Sequence, residues 1–156
     1  MARSTFLYAT YIRTTQQKLW DALTDPEFMK QYWFGMHCES GFTTGSPWKL
    51  VSDSGEVYDE GVIAEADPPR RLVIRWEHRK RPELAAEGAS LCTMELEQAS
   101  TAVKLTITHS VEREGSRLVE AVSGGWPKIL SNLKSLLETG TIAIEEAYPA
   151  GQSAKA

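Results

Sequence analysis

The sequence predicts an α+β domain: an antiparallel sheet covered by one long C-terminal helix, with two short helices after the first strand. Three observations carry this. Two helix-start signals crowd a short stretch near the N-terminus. Five successive segments then alternate apolar and polar residues with period two. From Leu118 onward the apolar period becomes that of a helix.

In chain order, Phe6 to Arg13 (FLYATYIR) is rich in β-branched and aromatic residues and reads as the first strand. Thr14 and Gln17 have capping-box spacing ahead of Leu19, Trp20 and Leu23, which form a short apolar stripe. TDPE (Thr24 to Glu27) repeats the signal with proline at the first helical position, so a second short helix runs from about Pro26 towards Tyr32. A short strand is expected around His37 to Ser40. SPWKLVS, EVYDEGVIAEA, RRLVIRWEHRK, SLCTMELEQ and AVKLTITHS follow, separated by DSG, DPP and QAST turn chemistry. Short connections between consecutive strands give an antiparallel meander.

Alternation sorts the faces. Leu72, Ile74 and Trp76 share one face with His78 next; Cys92, Met94 and Leu96 share another; Val103, Leu105 and Ile107 a third, with His109 next. Arg71, Arg75, Glu77 and Arg79 fall on the solvated side. Met94 and Leu105 are therefore expected inside, Arg75 and Lys104 outside.

Leu118, Val122, Trp126, Ile129, Leu133 and Leu136 fall within roughly a quarter-turn of one helix face. The stripe keeps phase through Gly124, Gly125, Trp126 and Pro127, which favours one helix from about Arg117 to Glu138, ended by Gly140 and kinked at Pro127, over a separate helix starting at Pro127.

The chain has 156 residues, 42% of them hydrophobic and 24% charged, which suits one soluble domain: residues 1–142, with a frayed tail over 143–156. A net charge of -4 argues against nucleic acid as a partner. No run approaches the ~20 apolar residues that span a bilayer. The N-terminus has no secretory pattern, and Cys38 and Cys92 form no disulfide framework, so a reduced cytoplasmic protein is expected.

YIRTTQQKLWDALTDPE (Tyr11 to Glu27), DPPRRLVIRW (Asp67 to Trp76), VKLTITH (Val103 to His109) and GGWPKILSNLKSLLETG resemble, in order and over nearly the whole chain, the START-like SRPBCC superfamily. Within it they look most like the family related to the activator of the heat-shock protein 90 ATPase. The resemblance implies a helix-grip (START/Bet v-like) fold, a curved sheet gripping the long helix with a cavity between them for a small hydrophobic or amphipathic ligand. It also allows a chaperone as protein partner, and either a monomer or a homodimer.

Candidate ligand-binding residues are Trp33, Phe34, Trp48, Tyr58, Trp76, His78, Met94, His109, Trp126, Ile129 and Leu130. Trp126 beside two glycines is the first choice for the cavity wall, since they leave room around its indole. Trp33 and Phe34 suit a lip, and Trp48 and Trp76 suit wall or core. Trp20 reads as core. His78 and His109, with Tyr58 and Glu60 in one phase, allow general acid–base chemistry of a cyclase or hydrolase kind, or plain satisfied polar groups. No dedicated catalytic motif is present, and neither a metal nor a cofactor is expected: His37, Cys38, Cys92 and His109 lack ligand spacing, and SGGWPK lacks the P-loop pattern. Arg79, Lys80 and Arg81 form a basic corner before RPELAAEG, which reads as a loop near one end of the cavity.

Overall fold

The computed structural model describes residues 4–112 and 115–145. β1 (Ser4–Ile12) leads into α1 (Gln16–Thr24) and α2 (Pro26–Tyr32). The hydroxyl of Thr15, one residue beyond the expected cap, accepts from the Lys18 N–H, and the Asp25 carboxylate accepts from Glu27 N–H with Pro26 at the first helical position. Next come β2 (His37–Ser40), β3 (Pro47–Val51), β4 (Val57–Asp67) and β5 (Arg71–His78). A single turn, α3 (Pro82–Ala85), forms within the stretch expected to be loop, starting at a proline and burying Leu84. β6 (Ser90–Ala99), β7 (Ala102–Val111) and α4 (Arg117–Thr139) complete the fold.

The seven strands form one antiparallel sheet in the order β1-β7-β6-β5-β4-β3-β2. The meander from β2 to β7 is therefore continuous, and β1 closes it by pairing with β7. The inward phases are those of the alternation: Leu72, Ile74, Trp76, Cys92, Met94, Leu96, Val103, Leu105 and Ile107 are all buried. Arg75 is exposed and Lys104 half-exposed.

α4 runs unbroken from Arg117 to Thr139 through Pro127, and Gly140 ends it in the left-handed region at φ 86°. The sequence alternative of a separate helix at Pro127 falls away. The SGGWPK segment is helix interior and offers no helix N-terminus to an anion. Leu118, Trp126, Leu130 and Leu133 are buried by this helix. Asn132, fully buried, accepts from the N–H groups of Ala143 and Ile144 (3.0 and 2.7 Å) and donates to the Ile144 carbonyl. Packing thus continues past residue 142, into the first residues of the tail expected over 143–156; the tail from residue 146 lies outside the described residues. No described helix is long and apolar enough to cross a membrane.

Candidate functional site

Antiparallel pairing of β4 and β5 sets Asp59 opposite His78 and Gly61 opposite Trp76. A side chain at Gly61 would meet the Arg75 carbonyl oxygen at 1.9 Å, so only glycine lets the two backbones approach here. Trp76 becomes the hub of an aromatic cluster. Its ring centroid lies 4.4 Å from that of Trp48, 5.3 Å from His109, 6.1 Å from Trp126 and 6.4 Å from Trp33. Such tilted and edge-on pairs add attraction beyond the area they bury.

Between this cluster, α3 and the first half of α4 lies a cavity of about 740 Å³. Trp33, Phe34, Met36, Leu50, Trp76, Leu84, Val122, Trp126 and Ile129 give it an apolar wall. Gly124 and Gly125 also line it, and a Cβ added at either would meet nothing within 4 Å. The poor helix formers of α4 therefore face open space. At the lip, Phe34 is held at φ 52°, a left-handed conformation costly for a bulky residue.

Of the eleven residues named from sequence, Trp33, Phe34, Tyr58, Trp76, His78, Trp126 and Ile129 line the cavity. Trp48, Met94, His109 and Leu130 do not reach it; they are buried in the packed layer behind it. His109 is fully occupied there. Its Nδ1 accepts from the Trp126 indole N–H at 3.2 Å, which puts the ring proton on Nε2, 2.8 Å from the Ser90 hydroxyl. Ser90 in turn donates to the Trp76 carbonyl. Burial, helped by nearby His78, pushes His109 down to about 3, so it is neutral and engaged at both nitrogens.

The proposed partnership of histidine with Glu60 is also revised. Glu60 turns outward to Arg79 at 3.2 Å. The buried carboxylate is Asp59, which accepts from the Trp76 indole at 2.8 Å and lies 3.8 Å from His78 Nε2. Ile63, fully buried and in Asp59's phase, was the signal that β4 turns this side inward. Burial raises Asp59 above the usual carboxylate range against the pull of His78 and Trp76, and lowers His78 against the pull of Asp59. Desolvation dominates both, moving the pair towards its uncharged forms.

The basic corner is ion-paired, Arg79 with Glu60 and Glu77, Lys80 with Glu56, and Arg81 with Glu83, while Arg81 Nη1 is buried without a hydrogen-bond partner among the described residues and Lys80 and Arg81 both line the cavity. Burial pushes the Cys38 thiol up to about 12 and Cys92 higher still, so neither is a nucleophile at neutral pH. Among the described residues no three His, Cys, Asp or Glu side chains converge to hold a metal ion.

A family model described as Activator of Hsp90 ATPase homolog 1-like protein matches residues 13–138. No curated protein is a significant match to the sequence. Among solved structures, a protein from Mesorhizobium loti is similar at 23% identity and TM-score 0.74, over 86% of this chain and 97% of that one. An HSP90 activator from Plasmodium falciparum is 22% identical, with TM-score 0.69, over 85% and 95%. The Aha1 dimer from Colwellia psychrerythraea is 21% identical, with TM-score 0.70, over 88% and 98%. At these identities the likeness is one of fold.

Proposed function

The chain belongs to the Activator of Hsp90 ATPase homolog 1-like family, and we propose that it is a cytoplasmic, non-catalytic binding protein for a small hydrophobic or amphipathic molecule held between sheet and α4. The observation that carries this reading is the aromatic cavity of about 740 Å³, bordered by Gly124 and Gly125, where an added Cβ would meet open space. Its size falls within the range of small-molecule sites, and its apolar wall is joined by polar side chains from β4, β5, the basic corner, α3 and α4. Trp33, Phe34, Trp76, Trp126 and Ile129 supply the apolar contact. Tryptophan-quenching titrations with fatty acids, flavonoids and an apolar dye test the reading. Saturable binding weakened by Trp126→Ala supports it; no binding of any probe by the wild type overturns it.

A second reading is a protein-binding role towards the Hsp90 chaperone, as monomer or homodimer. It is favoured by the family and by the two fold relatives described as an HSP90 activator and an Aha1 dimer. A pull-down with purified Hsp90, with its ATPase rate measured in parallel, separates the two readings.

A further inference from the structure

We infer that the Asp59–His78 pair in the cavity wall recognises a neutral hydroxyl group, so the ligand class is a hydroxylated aromatic or alicyclic molecule. This deepens the ligand-binding reading and rests on it.

Asp59 and His78 face each other in register, both line the cavity, and Asp59 Oδ2 lies 3.8 Å from His78 Nε2. That gap is too wide for a direct hydrogen bond. One oxygen about 2.8–2.9 Å from each atom can bridge this edge, with an angle of about 85° at the oxygen.

The direction of each bond follows from the local accounting. His78 Nδ1 is buried with no hydrogen-bond partner among the described residues. An orphaned lone pair there is less costly than an orphaned N–H, so the neutral ring carries its proton on Nε2, on the side of Asp59. Asp59 accepts from the Trp76 indole, and a carboxylate with about four acceptor sites retains capacity for another donor. With Asp59 ionised, the bridging group accepts from His78 and donates to Asp59 through the same atom. A hydroxyl does both. A carboxylate or ether cannot donate, and an ammonium cannot accept.

Rigid naphthalenes of one size isolate the polar group. Calorimetric titration of the full chain uses 2-naphthol, 2-methoxynaphthalene and 2-naphthoate at neutral pH. The expected result is 2-naphthol binding about tenfold or more tighter than the methoxy compound. His78→Phe keeps a ring in place and should bring that ratio to near one, with the affinity for 2-methoxynaphthalene little changed. Should that variant fail to fold, Asp59→Asn serves: its amide still accepts from Trp76 but can present N–H to the ligand, so preference should move towards 2-methoxynaphthalene. Equal affinity for all three probes, or 2-naphthoate bound tightest, overturns the hydroxyl inference while leaving the binding reading intact. Failure of wild type to bind any probe overturns both.

Discussion

Lowering the pH from about 7.5 to about 5.0 should cost the fold about 2 kcal/mol through His109 alone. In the folded chain this imidazole titrates at about 3, held down first by burial and then by His78; in the unfolded chain its ordinary value is 6.5. Between those values the unfolded chain binds a proton that the folded chain refuses. Stability is therefore fully present above the unfolded value and lost as the pH falls below it, at up to about 1.4 kcal/mol per unit. The protonated ring would have to break its bond from the Trp126 indole, because Nδ1 would then carry a hydrogen itself. Urea unfolding followed by circular dichroism at the two pH values gives the loss directly, with the denaturant slope as a check on two-state behaviour. His109→Gln supplies the reference, since glutamine can accept and donate without titrating. Subtracting its pH dependence removes the contributions of Asp59, His78 and the surface carboxylates. An equal acid loss in wild type and variant would refute the account of His109 as a buried neutral base.

Gly61→Ala should lower stability by about 1–3 kcal/mol or more, since its methyl would sit on a backbone oxygen of β5; an unchanged urea midpoint would contradict that packing. Met94→Ala should cost about 2–5 kcal/mol, because the side chain is buried in the filled layer and does not border the cavity. Gly124→Ala should instead stabilise by about 1 kcal/mol, the added methyl entering open space while helix propensity improves. The double change Gly124→Ala, Gly125→Ala should keep that gain and slow entry of an apolar dye, measured by stopped-flow fluorescence.

The strand faces were readable because period-two alternation is unambiguous where one side is buried, as in Val103, Leu105, Ile107 and His109. The long helix was readable for the same reason at a different period. What alternation could not rank was two polar residues in adjacent positions. In YDEG, Tyr58 and Glu60 looked like a pair, yet Asp59 turned inward with Gly61 and Ile63, and irregular register near both ends of β4 further loosened the phase. Nor does phase distinguish a cavity wall from the core behind it. Trp48 and Trp76 share an inward orientation, and only the positions of α3 and α4 leave one of them at the opening. The helical turn at Pro82 carries a single buried residue, too little periodicity to register.

The aromatic cluster also has an optical consequence. Trp33, Trp48, Trp76 and Trp126 sit with neighbouring ring centroids 4.4–6.4 Å apart. At such spacing indole transitions couple, and excitation absorbed by one ring migrates among the others before emission. The four behave as a single chromophore, with Trp20 as an outlying contributor from α1. Near-ultraviolet dichroism of this fold should therefore carry paired bands of opposite sign, and a molecule quenching any one ring at the cavity would dim the whole group.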